Sequence, residues 1–172
     1  MKLTEIQPVE KWKALEQEIH DRFHIDANVF NVDGVRISEF KAWVNQLCPA
    51  IKATDKGQSF ICAVAHMNLA IMAKNSQDAV VEECDAGLVK IVIPIFMKET
   101  FVGAVGACGL LMQEGETDAF LINKITGIDE STVETLSQGI GTISNDKIQE
   151  LIRFVKEKIE RTLKGYEAAP QC

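Results

Sequence analysis

The sequence predicts an α+β domain built on one five-stranded antiparallel β-sheet. Residues 84–111 contain two long runs of β-branched and aromatic residues separated by four polar residues, which is typical of a hairpin of buried strands. Residues 28–37 predict a second, shorter hairpin, and residues 79–83 predict one more strand before the central hairpin. Segments with the apolar repeat of helices lie before, between and after these strands. A two-stranded hairpin, a helical excursion and a three-stranded meander together predict this sheet.

The first 37 residues predict an amphipathic helix followed by a hairpin. Pro8 suits a first helical position, and the Asp33-Gly34 pair is the strongest short hairpin signal in the chain. We therefore expect a first helix of about four turns and then two short strands. The apolar residues of the helix recur at spacings of three and four, which places them on one face: Trp12, Leu15, Ile19 and Phe23.

Two further helices are predicted before the central hairpin. Ser38 can cap a helix that Cys48-Pro49 ends, because the residue before proline avoids the helical region. Residues 59–74 predict a longer helix that is apolar on almost every side, so we expect this helix to be buried. The apolar residues of the shorter helix are Phe40, Trp43, Val44 and Leu47.

The central hairpin predicts adjacent strands at residues 89–96 and 101–110. Gly103, Gly106 and Gly109 in the second strand indicate a bulge, a bend or the close approach of another group to the backbone. A pocket against this strand is therefore expected.

The C-terminal third predicts three helices. Gly127 ends the first, Asp129 caps the second and Ser144 caps the last. We expect the tail from about residue 165 to be frayed. The last helix has a narrow apolar stripe with charged flanks, which is typical of a coiled-coil seam, so we predict a homodimer through the terminal helices. The alternative is that the stripes of the first and last helices cover the outer face of the sheet of their own chain. The stripe consists of Ile148, Leu151, Ile152, Val155, Ile159 and Leu163.

Composition limits the class of protein. The 172 residues are long enough for one domain, 1–172, with a substantial core. A net charge of −7 disfavours binding to nucleic acid or to an anionic membrane surface. The sequence has no apolar run of signal-peptide or membrane-spanning length, so we expect a cytoplasmic protein. There the five cysteines would be reduced thiols.

The sequence contains none of the common catalytic motifs, so we do not expect an enzyme. The remaining chemistry is a set of cysteines with one histidine. Cys62 and His66 are four residues apart on a predicted helix, a spacing that lets two side chains bind one metal ion. Three interpretations stay open: core packing, a metal or iron–sulfur site, and a thiol redox switch. The candidate metal ligands are Cys48, Cys62, His66, Cys84 and Cys108; the candidate ligand-binding set adds Asp85.

Several spaced elements resemble the PocR-type ligand-sensing domain, a PAS-like module of signalling proteins. The resemblance spans about residues 12–163, and Cys48 and Cys62 lie where this family tends to have cysteines. The sequence departs from the family pattern at Asp85, where many members have histidine or another ring, and we expect no output domain of the usual kind within these residues. The elements that carry the resemblance are Cys84-Asp85-Ala86-Gly87-Leu88, Ile93-Pro94-Ile95, Phe101-Val102-Gly103 and Gly106-Ala107-Cys108-Gly109-Leu110.

The resemblance implies a non-catalytic sensory module with a PAS-like sheet. Such a module would bind a small ligand between its sheet and its helices and would signal to a partner protein. The alternative is a protein that senses metal, an iron–sulfur cluster or redox state through its cysteines and histidine. The identity of the ligand or metal is left open by the sequence.

Overall fold

A computed structural model describes residues 1–169 and shows an α+β fold. Its main sheet is antiparallel, has four strands, and has the spatial order β1-β4-β3-β2. The predicted central hairpin is present as the β3–β4 pair, which forms the middle of the sheet. The strands are β1 (Asp26–Asn31), β2 (Val80–Glu83), β3 (Val89–Met97) and β4 (Thr100–Cys108).

Helices surround this sheet on both faces. Two very short strands, β5 (Leu111–Met112) and β6 (Thr142–Ile143), pair in parallel outside it. A π-helical turn (Gln58–Ala63) leads directly into the longest helix of the middle segment. The helices are α1 (Leu3–Ile6), α2 (Val9–Phe23), α3 (Leu47–Lys52), α4 (Asp55–Gly57), α5 (Val64–Ser76), α6 (Ala119–Thr126), α7 (Glu130–Ser137) and α8 (Asn145–Ala168).

One face of the sheet forms the main hydrophobic core. Because side chains alternate along a strand, β3 directs Ile91, Ile93 and Ile95 to this face. Helices α2 and α8 cover it with the apolar stripes that the sequence predicts, including Trp12, which is fully buried. Both terminal helices therefore pack against the sheet of their own chain.

The opposite face of the sheet is covered only in part. Val92 and Ala104 pack beneath Leu69 and Ala73 of α5. A third apolar cluster lies beside the sheet, beneath α3, α6 and α7, and includes Leu88. The uncovered part of this face, between α3 and α5, is where the candidate site lies.

Glu16 connects α2 to the chain segment that follows β1. Its side chain is completely buried and accepts a hydrogen bond from the backbone N–H of Val29, with an N–O distance of 2.6 Å. The hydroxyl of Ser38 donates a second hydrogen bond to the same carboxyl group. These bonds fix the path of the segment that contains Arg36.

The prediction of five strands is not met, because the second strand of the first hairpin is only an isolated bridge between Phe30 and Arg36. The turn itself forms as predicted, with Gly34 at a φ of 73°. The chain then leaves the sheet, since Ser38 is bonded to Glu16. This bond takes the segment towards α2, so the ladder does not continue.

The predicted helix at residues 38–48 is also wrong. Residues 39–43 are irregular, and the helix begins later, at Leu47. Pro49 therefore lies in the first helical turn instead of ending a helix, a position where its missing N–H costs nothing. The side-chain oxygen of Asn45 accepts a hydrogen bond from the backbone N–H of Cys48 at 2.7 Å, which stabilises this start.

The helix predicted at residues 59–74 is present, but it is not buried on every side. Leu69 and Ala73 face the sheet, whereas the opposite side is exposed to solvent. The sheet has only one partly uncovered face at this point, so a helix lying on it can bury only one side. The exposed apolar residues are Phe60, Val64, Met67, Ile71 and Met72.

Helix α8 begins at the predicted Ser144 cap, whose hydroxyl accepts a hydrogen bond from the N–H of Lys147. The helix continues to Ala168, so residues 165–168 are helical where fraying was predicted. Ala169 follows as the C-cap, and residues 170–172 of the predicted frayed tail lie outside the described residues. Over residues 1–169, no helix combines the length and apolar character needed to cross a membrane.

Candidate ligand-binding site

A cavity of about 320 Å³ lies between the sheet and the helices that precede β2. The sheet provides one wall, and α3, the π-helical turn and the start of α5 provide the other. Loops on either side contribute Trp43 and the turn before β3. The principal lining residues are Asp26, Phe30, Arg36, Trp43, Cys48, Lys52, Cys62, His66, Cys84, Leu88, Lys90 and Cys108.

The wall formed by the sheet consists of one row of side chains across three strands. Asp26 of β1 is paired with Cys108 of β4, which is paired with Lys90 of β3. Residues paired in this way point to the same face of a sheet. The neighbouring row contains Gly106, where a Cβ atom would lie 2.9 Å from the Phe30 ring and 3.5 Å from the ammonium nitrogen of Lys90. Glycine at this position leaves room for both side chains.

The wall formed by the helices holds Cys48 and Lys52 on α3, Cys62 on the π-helical turn and His66 on α5. Cys62 and His66 thus face the same cavity, as their spacing predicts. The imidazole of His66 is stacked on the Phe30 ring, with 3.7 Å between the ring centroids and 27° between the planes. This stack joins the two walls of the cavity.

Three cationic side chains, Arg36, Lys52 and Lys90, line the cavity. Lys90 is only 8% exposed, and its ammonium nitrogen lies 5.4 Å from the centroid of the Phe30 ring. The nitrogen of Lys52 lies 5.0 Å from the Trp43 ring centroid. Burial, together with the charge of Arg36, lowers the pKa of Lys52. None of the three cations forms a salt bridge with another residue of the 1–169 range.

Two almost fully buried polar side chains at the cavity lack hydrogen-bond partners. Asp26 is 3% exposed and His66 is 4% exposed. Within the described part of the chain, nothing bonds to Asp26 Oδ1 or to either ring nitrogen of His66. Burial raises the pKa of Asp26. Burial and the charge of Lys90 lower the pKa of His66 to about 3, so its imidazole is neutral at pH 7.

Four cysteines face the cavity as thiols. Burial is the main cause that raises the pKa of Cys48, Cys62 and Cys84, and it brings the pKa of Cys62 to about 11. Neighbouring thiol groups, Cys108 among them, raise the pKa of all three further. No three or more histidine, cysteine, aspartate or glutamate side chains of residues 1–169 are grouped so that they could hold a metal ion. The thiols therefore surround the cavity instead of converging on one point.

The structure places Asp85 outside the cavity, which corrects its inclusion in the predicted site. Residues 84–87 form a tight turn in which the N–H of Gly87 donates to the carbonyl of Cys84 at 2.8 Å. Gly87 has a φ of 81°, a conformation that favours glycine. Cys84 points into the cavity, whereas Asp85 is exposed on a separate shallow surface with Glu116.

Sequence reasoning missed the charged residues of the site. Lys90 had a detectable signal, since it is the only charged residue in the otherwise apolar run of β3. A lysine at such a position must either reach solvent or face a polar cavity. Arg36, Lys52 and Asp26 gave no comparable signal, because they come from separate elements that only the fold brings together.

One face of the sheet is closed by the main core, and the other is open to the cavity. Residues 5–163 match the family model described as the sensory domain found in PocR. The chain belongs to this family of sensory domains. No curated protein and no solved structure is similar enough to this chain to count as a match.

Proposed function

We propose that this domain binds a small organic ligand in the cavity and signals its presence to a partner protein without catalysing a reaction. The observation that carries the proposal is the set of unpaired polar atoms on Asp26 and His66. A buried polar atom without a hydrogen bond costs about 1–3 kcal/mol. A ligand that bonds to these atoms would recover that energy, which makes the cavity a favourable place for binding.

The residues that line the cavity support the same proposal. Apolar and aromatic side chains, such as Phe30, Trp43 and Leu88, line it together with a small number of polar groups. This mixture is typical of small-molecule sites, where apolar contact provides affinity and a few polar groups fix the orientation. Membership of a sensory-domain family agrees with a binding role.

A thermal-unfolding screen of small metabolites tests this function, because a ligand that binds only the folded state raises the melting temperature. Any ligand found is then tested on Ala63→Phe, which places a ring in the cavity lining. We expect the folded variant to lose binding. Met72→Phe on the exposed side of α5 is the matched control and should bind normally. A ligand that stabilises both variants equally would contradict a site in the cavity.

A second candidate function is the binding of an iron–sulfur cluster by the cysteines. It is favoured by one observation: Cys48, Cys62, Cys84 and Cys108 all line the same cavity. Four thiolates are the usual ligands of such a cluster, and a cluster is bulkier than the single ion for which no grouping exists in residues 1–169. The nearby cations would offset the negative charge of the thiolates.

Anaerobic reconstitution with iron and sulfide tests this second function. A brown protein with stoichiometric iron and sulfide would support it, provided that Cys62→Ser loses the colour. Cys172→Ser is the control, since this cysteine is outside the proposed set. A colourless protein with no bound iron after reconstitution would exclude the cluster.

A further inference from the structure

We propose that the ligand is a small organic anion with an apolar or aromatic body, whose acid group is held by Arg36, Lys52 and Lys90. This inference rests on the ligand-binding function proposed above and names the class of ligand. A carboxylate is the acid group used below to test it.

Three cations line the cavity from different parts of the fold. They come from three separate elements: the loop after β1, helix α3 and strand β3. Lys90 is 8% exposed, and the salt bridges formed within residues 1–169 involve none of the three. A buried ammonium group is costly unless it is paired with an opposite charge. The contact of Lys90 with the face of the Phe30 ring offsets only part of that cost.

The charges at the cavity do not balance. Asp26 is the only carboxylate among the described residues that line it, against three cations. Glu16 lies close by but already accepts hydrogen bonds from Val29 and Ser38. The cavity is therefore locally positive in a protein whose net charge is −7. This local reversal of charge favours an anion over a neutral or cationic ligand.

The lining of the cavity also suits a ligand with an apolar or aromatic body. Trp43 and Leu88 offer apolar contact near the cations, and the stacked rings of Phe30 and His66 form part of the same surface. The unpaired atoms of Asp26 and His66 can bond to one additional polar group, such as a hydroxyl. An inorganic anion would leave the apolar lining without contacts. These features together favour an organic acid.

Isothermal titration calorimetry with matched acids and amides tests the inference. The probes are benzoate, phenylacetate, indole-3-acetate and hexanoate, each compared with its neutral amide at the same ionic strength. We expect at least one acid to bind at millimolar concentration or below, and to bind at least about tenfold more tightly than its amide, because charge-assisted hydrogen bonds stabilise only the acid. The emission of Trp43 should change on binding, and a Trp43→Phe variant should abolish this signal.

Substitutions of the cations make the test specific. Lys52→Met and Lys90→Met should each weaken binding of the acid by about tenfold or more and leave binding of the amide unchanged. Circular dichroism of both variants separates a loss of binding from a loss of folding. Lys124→Met removes an exposed lysine that does not line the cavity, and should have no effect.

The outcomes separate this inference from the function on which it rests. If amides bind as tightly as acids, the ligand is not an anion, while binding in the cavity stands. If no acid binds but a neutral compound from the metabolite screen does, the inference is likewise overturned. If neither acids nor any screened compound binds, both proposals fail. If the acid bound by the wild type binds equally to both lysine variants, the three cations do not hold it.

Discussion

Among single residues, Glu16 is the buried carboxyl group on which the position of Arg36 depends. Its carboxyl group bonds to the Val29 N–H and to the Ser38 hydroxyl, so it joins α2, β1 and the following segment. Burial raises the pKa of Glu16 above its usual value, although the hydrogen bonds from Ser38 and Val29 lower it in part.

The raised pKa predicts a pH dependence of stability with a definite sign. Above the usual value of 4.5, the folded state binds a proton at Glu16 more readily than the unfolded state does. The contribution of Glu16 to the free energy of unfolding should therefore increase as the pH falls from 7 towards 4.5. Urea unfolding of the wild type and of Glu16→Gln at several pH values measures it, since glutamine does not titrate.

The difference in unfolding free energy between the wild type and Glu16→Gln separates the contribution of Glu16 from that of other titrating groups. His66 and Asp26 also titrate differently in the folded and unfolded states, but they do so in both proteins. A difference in unfolding free energy that is constant over this pH range, or that falls as the pH falls, would contradict the prediction.

The cavity cysteines also lead to a prediction at the residue scale. A pKa of about 11 for Cys62 leaves far less thiolate at pH 8 than the usual value of 9.0 would. Because only the thiolate is nucleophilic, alkylation of Cys62 by iodoacetamide at pH 8 should be about a hundredfold slower in the folded protein than in the unfolded protein. Mass spectrometry of the peptides reports each cysteine separately, and guanidinium-unfolded protein is the reference.

This measurement also bears on the thiol redox switch, which stayed open at the level of sequence. A redox switch needs an accessible thiolate, and a raised pKa lowers the fraction of the cysteine that is present as thiolate. Rapid modification of Cys62 in the folded protein would contradict the slow rate expected here and would favour the switch.

At the scale of elements, strand β4 depends on glycine where it passes the cavity. A Cβ atom at Gly106 would lie 2.9 Å from the Phe30 ring, closer than real Cβ contacts allow. We expect Gly106→Ala to displace Phe30 from its stack with His66 and to lower the free energy of unfolding by about 1–3 kcal/mol. Urea unfolding measures the change.

Gly165 provides the control for this substitution. It lies within α8, and a Cβ atom there would meet nothing within 4 Å. Gly165→Ala should stabilise the protein by up to about 1 kcal/mol, because alanine favours a helix more than glycine does. If Gly106→Ala and Gly165→Ala changed the free energy of unfolding in the same direction, the close approach of Phe30 to Gly106 would not explain the effect at Gly106.

The elements themselves were predicted well where the signal is local. The β3–β4 hairpin, the amphipathic helix α2 and the Ser144 cap of α8 all follow from short-range patterns and are confirmed. The predicted fifth strand and the predicted helix at residues 38–48 do not form. The reason is a distant side chain, Glu16, which bonds to Ser38 and determines the path of that segment. Local propensity cannot detect a bond between residues 22 positions apart.

Residue type explains which of the residues that line the cavity stood out in the sequence. Cysteine and histidine attract notice in any sequence, so all five predicted metal-ligand positions are among the residues that line the cavity. Lysine, arginine and aspartate usually mark exposed surface. The cationic character of the cavity therefore became visible only when the fold placed Arg36, Lys52 and Lys90 around it.

In the whole molecule, the fold limits which surfaces can form a contact between two chains. The homodimer stays a prediction, but the stripes that led to it are covered by the sheet of their own chain. Ile148, Leu151 and Val155 are almost fully buried in the main core. These faces cannot also meet a partner without opening the fold, so a dimer through them is not expected.

The exposed side of α5 is a better candidate for the contact. Phe60, Val64, Met67 and Ile71 follow one another at spacings of four, three and four residues, the pattern of a helix that packs along another helix. Lys74 is the only charged residue of α5, so two copies of this face would meet with little charge repulsion. A two-fold axis would place the same face of each copy in contact.

We therefore expect a dimer that depends on α5, and light scattering at micromolar concentration measures it against the monomer mass of 19.0 kDa. Met67→Glu combined with Ile71→Glu should convert the dimer to a folded monomer, because each face would then carry two buried like charges. Glu157→Ala combined with Glu160→Ala on α8 is the control and should leave the mass unchanged. A monomer mass for the wild type would contradict the predicted dimer. A dimer that persists in the glutamate variant would place the contact on another surface. Because His66 lies on α5 beside Met67, a ligand that bonds to His66 would act on the helix for which we predict this contact.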